Sequence, residues 1–447
     1  MGRALDSIHA YGCTELYANI APQICKRLGL NPQTAHMDTT DFHLDEVYNS
    51  REEEVGANLI HIRPGYSRDH RPDPNQVVLN LIVDNEAGIA LHIQGLDGNM
   101  NDKTAFNNTI KKHIGQLQAV YDLDYVVMDS AGYTEKTLTD CGTVIKWTSR
   151  VPETLSESKL AIAKTYDNWQ PLAEGYQYVA VSSAYAQIEQ RWLLVFSREA
   201  YEREMITLRR NYAKGSDKEH SAFLKLSKEP FNCEEDAMKA ANKFILKCKY
   251  LSINCLPINK VAFFDKKGRP KKGEVPSGHH FYVQGTAYCQ LDKFDGMAQT
   301  KGRFIVATNE MDTIKLTDKM LFANYKEQSK VERGFRFLKD PQFMAATLFV
   351  KKPERVEALL FIMTLCLSVY AAIEYRLRQK LQKQDLTLPN QLGKEVKNPT
   401  ARWVFACFNG IHVLYVNQQP MVLNLKPLHL KVLDLMGNKY RKYYFLE

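Results

Sequence analysis

The sequence predicts an α/β protein built in two parts, and three observations carry that prediction. Short apolar runs of strand character alternate with helical stretches, as at 77–83, 88–94, 103–121 and 125–129. The pattern changes between about Val151 and Lys301 and then resumes, which marks an interrupting segment. At 447 residues the chain can bury a large core and suits two domains, or one domain carrying a big insertion.

Composition narrows the class. Hydrophobic residues make up 45% and charged residues 25%, ordinary for a soluble globular protein. The net charge of +8, with a pI near 8.8, is mildly basic and suits a polyanionic partner. Nine cysteines include no CxxC pair and no histidines at zinc spacing, so a structural zinc is not expected. Their odd count fits reduced thiols in a cytoplasmic protein. The N-terminus has no apolar signal core. Leu359–Ile373, the most apolar stretch, is 15 residues between Glu357 and Glu374 and reads as a core helix, not a membrane span.

Taken in order, residues 5–28 have helical periodicity, with a break expected near Pro22 and Gly29 as a C-cap. Residues 35–48, AHMDTTDFHLDEVY, read as a strand ending in a loop, and 61–76 as a loop rich in Pro, Gly, Asp and Arg. VVLNLIV and GIALHIQ form a hairpin joined by Asp84–Ala87, a helix covers 103–121, and YVVMD is a buried strand ending in one carboxylate. Within 151–301, strands are expected at Tyr178–Val181, Trp192–Phe196, Val261–Phe264 and His280–Val283. Helices are expected at Ala200–Asn211 and Glu234–Tyr250, with a charged loop at Lys214–Lys225. Lys266, Lys267, Arg269, Lys271 and Lys272 put five cations in seven residues, either a solvated hairpin loop or a contact to a DNA backbone. RFIVATN resumes the strand pattern, Thr317 caps a short helix Asp318–Asn324, and Pro353–Leu377 is the long apolar helix. Gln379–Lys397 is polar and reads as a surface excursion. The tail ends in basic and aromatic residues, Lys439 to Tyr444, which suit tail packing or nucleic acid.

Tyr325–Lys339, YKEQSKVERGFRFLK, is the most informative stretch. Read as a helix, it gathers Tyr325, Gln328, Glu332, Arg336 and Lys339 within an arc of roughly 80°. Val331, Phe337 and Leu338 face the other way, with Phe335 at the border, and Asp340-Pro341 stops the helix. Taken alone, this is an ordinary solvated face with i,i+4 charge pairs. Asp38 in one predicted strand and Asp129 at the end of another are two further acids at strand positions where α/β chemistry gathers. Three convergent carboxylates would need cations to neutralise them, and hard oxygen donors suit Mg²⁺ or Mn²⁺. Spacing alone does not single out these three from 51 acidic residues.

Three segments together resemble a known family. HMDTTDFH (36–43), VVMDSAGYT (126–134) and a Tyr-x2-Arg-x3-Glu-x6-Lys signature, here Tyr325, Gln328, Glu332 and Lys339, are similar to the DDE transposases of bacterial insertion sequences. The likeness is to the longer-chain branch of the insertion-sequence-four superfamily, and Gln328 stands where the signature has Arg. The resemblance implies an RNase H-like catalytic core interrupted by a mixed, partly β insertion domain between the second Asp and the Glu. The division it implies is 1–37 a helical segment, 38–150 the first part of the core, 151–301 the insertion, 302–385 the second part and 386–447 a C-terminal region. It implies that Asp38, Asp129 and Glu332 are catalytic and bind two divalent ions, Mg²⁺ or Mn²⁺, for cleavage at transposon ends and strand transfer. Tyr325, Lys339 and, more weakly, Gln328 would contact phosphates of the transposon end; Arg336 shares their face. Arg68 and Arg71 reach phosphate from their loop or pair with Asp69 and Asp73. Double-stranded DNA is the implied partner, with a homodimer on DNA, in a bacterial cytoplasm and with no membrane. Similar proteins carry a further N-terminal region for end recognition, so the chain reads as a shortened copy. Two alternatives stand beside this: a non-enzymatic DNA-binding or regulatory derivative, and a general RNase H-like nuclease.

Rival chemistries lack their motifs: there is no HExxH, GxSxG, P-loop or GxGxxG. His43, His61, His70, His279 and His280 are expected to be loop or partly buried histidines and not metal ligands or bases. Trp147, Trp169 and Trp192 are expected in the core more than stacked on an extruded base.

Overall fold

The computed structural model describes residues 2–44, 59–65, 75–142, 144–265, 275–340, 347–348, 350 and 352–445. The chain forms two compact units. The first comprises Met1–Pro152, Ser182–Trp192 and Val306–Glu447, and the second Glu153–Val181 and Leu193–Ile305.

The first unit is built on a mixed sheet. Two N-terminal helices, α1 (Gly2–Tyr11) and α2 (Cys13–Leu28), precede strand β1 (Thr34–Leu44). The break between them falls at Gly12, whose φ of 98° suits a residue without Cβ, and Pro22 lies inside α2 instead of ending it. Gly29 is the left-handed C-cap that the sequence predicts, at φ 70°. β2 (Asn75–Asp84) and β3 (Ala90–Leu96) form the expected hairpin, antiparallel to β1 and to each other. Its turn is held by Asp84, which accepts from the backbone N–H of Glu86, Ala87 and Ile89 at 2.8, 2.7 and 2.6 Å. Helix α3 (Asp102–Thr109) is continued by a π-helical turn, Ile110–Ile114, and by Gly115–Tyr121, so the predicted helix is continuous in sequence but not uniform. β4 (Tyr125–Met128) and β5 (Lys146–Arg150) run parallel, beside β1 and beside each other respectively. The order is β3-β2-β1-β4-β5, with Val306–Thr308 antiparallel on β5.

The register fixes the two faces. Asp38 pairs with Leu81, Thr40 with Leu79 and Phe42 with Val77, so His36, Asp38, Thr40, Phe42 and Leu44 share a face with Val77, Leu79, Leu81 and Val83. That face is the apolar core covered by Tyr17 and Ala21 of α2, Val331, Phe335 and Leu338 of the helix Ser329–Leu338, and Val356, Leu360, Phe361 and Leu367 of the helix Pro353–Lys383. The opposite face carries α3, through Thr39 donating to Asp102 at 2.6 Å and Asn80 to Thr109 at 2.7 Å.

The helix Pro353–Lys383 runs six residues past the predicted end, because polar Gln379–Lys383 continues its turns while Leu381 stays buried. It is long and apolar enough to cross a membrane by length and composition, and its buried face belongs to the sheet core. The C-terminal stretch folds as a short helix Ala401–Cys407, an exposed hairpin His412–Val416 with Gln419–Leu423, and the helices Pro427–Met436 and Asn438–Lys442.

The second unit has strands at Gln170–Ala173 and Tyr176–Ser183, two further antiparallel pairs, and a core of Phe223, Ala237, Ala241 and Val283. One expectation fails here. Lys214–Lys225 is not a loop: the helix Arg198–Leu226 runs straight through it. Lys, Glu, Ala and Leu favour a helix, and Glu219 from this stretch accepts from the N–H groups of Lys249, Tyr250 and Leu251 at 2.8, 3.1 and 2.9 Å. Trp147 and Trp192 are core residues, and all nine cysteines are free thiols.

Candidate active site

Asp38 and Asp129 come together through strand register. Parallel pairing matches Met37 with Met128, so one residue further along both chains stand the two aspartates. Adjacent strands lie about 4.8 Å apart, which sets the backbone separation here to roughly that spacing. Asp38 is 6% exposed and accepts from the Thr39 N–H at 2.8 Å. Beyond β4 the chain turns. Ala131 N–H donates to Asp129 Oδ1 at 2.9 Å, Gly132 N–H to the Asp129 carbonyl at 3.1 Å, and Ser149 hydroxyl to the same carbonyl at 2.9 Å. Gly132 is needed for this turn, since a Cβ there would stand 2.9 Å from that of Met128.

The carboxylate helix Ser329–Leu338 is laid along β1 by anchors at its two ends. Gln328, just before it, is hydrogen-bonded through Oε1 to His36 Nδ1 at 2.9 Å and donates Nε2–H to the Met37 carbonyl at 3.3 Å. His36 is buried, its Nε2 meets the Asn85 side chain at 2.7 Å, and burial holds its pKa below the usual imidazole range. At the far end, Lys339 Nζ lies 3.5 Å from Asp41 Oδ1 and 5.9 Å from the centre of the Phe42 ring. The helix therefore runs in the direction of β1. Glu332, four residues after Gln328, lies about 6 Å along the axis and about 40° round from it, level with Asp38 and Thr39 at ~3.3 Å per strand residue.

The backbone thus places all three acids on one face of the sheet, but it does not gather their side chains. Glu332 is exposed. Among the described residues no group of three His, Cys, Asp or Glu side chains is close enough to hold a metal ion. The donor set still suits a hard divalent cation: two carboxylates in adjacent register and a third on a solvent-facing helix position.

Other expected DNA contacts divide. Gln328 is 7% exposed and its amide is used inside the fold, so its expected role at phosphate is corrected: it pins the helix to β1. The predicted helix Tyr325–Lys339 is interrupted at that residue, leaving Tyr325 in Asp318–Glu327, whose N-cap Thr317 accepts from Met320 N–H at 3.2 Å. Lys339 is half-buried beside Asp41, and Arg336 is exposed. Arg68, Arg71, Lys266, Lys267, Arg269, Lys271 and Lys272 lie outside the described residues. His36 and Asp41 are the participants that sequence reasoning missed. Both flank Asp38 in β1, and only the three-dimensional position of the helix reveals them.

The transposase DDE domain family matches residues 37–369, from the residue before Asp38 to well beyond Glu332. No curated protein matches the chain. Among solved structures, a piggyBac transposase synaptic complex with hairpin DNA is similar at a TM-score of 0.34 and 7% identity, over 79% of this chain and 48% of that one. A Mos1 transposase paired-end complex is similar at 0.18 and 13%, over 30% and 39%. The chain therefore spans less than half the length of either, and neither likeness is close enough to carry an assignment. The family match covers most of the sequence, and on that ground the chain belongs to the transposase DDE domain family.

Proposed function

We propose that this protein is a DNA transposase that cleaves strands at transposon ends and joins them to target DNA by metal-dependent phosphoryl transfer. The observation that carries the reading is the juxtaposition of Asp38 and Asp129 at consecutive parallel register positions, with Glu332 brought level with them by a helix pinned at both ends. The sheet order β3-β2-β1-β4-β5 supports reading the core as RNase H-like, and the second unit as an insertion between Asp129 and Glu332.

Asp38, Asp129 and Glu332 would hold Mg²⁺ or Mn²⁺, two ions per site. Bound divalent ions there supply charge that lowers the pKa of an attacking water or 3′-hydroxyl and offsets charge on the leaving oxygen. The chain's own part is positional. β1 and β4 fix two carboxylates, Gln328 and His36 fix the height of the helix, and Lys339 with Asp41 fixes its far end. No side-chain general base is assigned. We place the protein in the insertion-sequence-four superfamily, acting as a dimer on paired ends.

A second reading is favoured by one observation: the three carboxylates do not form a ligating cluster, as in a DNA-binding relative without catalysis. A plasmid carrying the DNA that flanks the reading frame separates the two. The enzyme nicks it only with Mg²⁺ or Mn²⁺ and yields strand-joined products, and Asp129→Asn loses both. Retention of the plasmid without any metal-dependent nicking sinks the enzymatic reading, and nicks without joined products point to a general nuclease.

A further inference from the structure

Near Glu332 the first unit holds a cavity of about 330 Å³ lined by cations. Lys330, Arg333 and Arg336 come from the carboxylate helix, Arg378 from the long helix Pro353–Lys383, and Arg402 from Ala401–Cys407. Its floor is apolar: Phe337 and Tyr370 pack with ring centres 4.1 Å apart, and Leu367 fills the space a side chain at Gly334 would need, 3.3 Å from an added Cβ.

The carboxylates that line this cavity are each engaged. Asp340 meets Arg402 at 3.0 Å, Glu374 meets Arg378 at 2.5 Å and accepts from Ala401 N–H at 2.8 Å, and Glu86 accepts from the Tyr375 hydroxyl. Lys330 meets Glu327 at 2.8 Å and the Asn85 carbonyl at 2.6 Å. Arg333 and Arg336 have no acidic partner among the described residues and are exposed. Burial holds the Arg378 guanidinium below its usual range, and the charge of Arg333 adds to that, so the cations crowd one another. Five cations face three carboxylates, an excess of two positive charges.

We propose that this cavity seats a backbone phosphodiester of a bound DNA strand, gripped by Arg333 and Arg336 above the Leu367 and Tyr370 floor. The inference rests on the transposase reading and adds a second grip beside the reacting phosphate. Two guanidinium forks three residues apart on one helix suit the bidentate geometry of phosphate oxygens. The place fits as well: at 100° per residue Arg336 lies about 40° and Arg333 about 100° round the helix from Glu332 in the same sense, so a strand leaving the carboxylates round that side meets Arg336 and then Arg333. Arg378 and Arg402, already paired, hold the wall and raise the local potential.

The test uses the full chain and a fluorescein-labelled mixed-sequence duplex, read by anisotropy over a salt series. Arg333→Gln/Arg336→Gln is expected to weaken binding roughly tenfold or more and to reduce the log–log salt slope by about 1, at ~0.9 for the one phosphate no longer neutralised. Saturating inorganic phosphate should compete with the duplex on the wild type and lose that effect on the double variant. An unchanged slope overturns the site. So does an equal fall in Arg198→Gln, an exposed arginine paired with Glu202, which would make the effect one of net charge. Arginine-dependent binding of inorganic phosphate or of polyglutamate, with the duplex slope unaltered, would assign the cavity to a free anion or an acidic protein and also overturn the proposal. Because both arginines are exposed, circular dichroism and melting temperature of the variant should match the wild type. Metal-dependent nicking is measured in parallel: nicking with no slope change removes this site alone, and a slope change with no nicking removes the enzymatic reading alone.

Discussion

Replacing Gln328 by Ala probes the geometry more sharply than removing a carboxylate. The side chain is buried, is hydrogen-bonded to His36 Nδ1 at 2.9 Å and donates to the Met37 carbonyl at 3.3 Å. Truncation leaves two buried polar groups unpaired at about 1–3 kcal/mol each, so the expected loss is about 2–6 kcal/mol in the first unit. A chain of two units need not unfold in one step, so the loss is read from native-state hydrogen exchange of β1 amides instead of a single melt. The same change frees the start of the helix that carries Glu332. A shift of about 1 Å at a reacting group can cost ~100-fold in rate, so nicking should fall by that order while DNA binding changes little. A double-mutant cycle with His36→Ala should give a coupling of about 1–3 kcal/mol. Additivity within about 0.5 kcal/mol would refute the clasp, and so would full nicking activity in Gln328→Ala.

Three further outcomes follow from the same structure. His92 is buried against His113 with ring centres 4.3 Å apart, and burial lowers its pKa to about 3 from an ordinary 6.5. Its contribution to stability is therefore complete above pH 6.5 and is lost as pH falls toward 3, since the unfolded chain takes the proton first. His113 and His36 are held down by burial too, so His92→Phe should remove only a share of the acid slope, at most about 1.4 kcal/mol per pH unit in urea titrations; an unaltered slope would contradict it. Gly215→Ala would set a Cβ 2.3 Å from the Tyr250 ring, which backbone hydrogen bonds to Glu219 and Tyr212 keep in place. It should lower the melting transition of the second unit, costing about 1–3 kcal/mol where Ala in a helix normally helps. Thr317→Ala removes the N-cap acceptor from Met320 N–H and should cost about 1 kcal/mol, seen as faster exchange in Asp318–Glu327.

Local patterns carried much of the fold. β1 and its hairpin neighbours alternate or run apolar as buried strands do, and Asp84 supplies the turn chemistry that joins β2 to β3. Gly29 and Thr317 signalled helix ends because their physics is local. What eluded the sequence depends on partners far along the chain. Lys214–Lys225 looks like a loop until Glu219 is seen capping the backbone at Lys249–Leu251. Pro22 looks like a break, yet the chain turns at Gly12 instead. Gln328 falls on the exposed-looking arc with Glu332, and only the His36 contact, 292 positions away in sequence, shows that it points inward. The cationic cavity was invisible for the same reason, since Arg378 and Arg402 come from helices outside the signature.

The most direct test of the central claim is the anomalous scattering of Mn²⁺ in crystals of the protein with a DNA duplex. The account predicts density between the carboxylates of Asp38 and Asp129, with Glu332 turned in to about 2.0–2.2 Å from an ion. Crystals that hold Mn²⁺ elsewhere but none between those aspartates, or in which Glu332 stays in solvent, would contradict it.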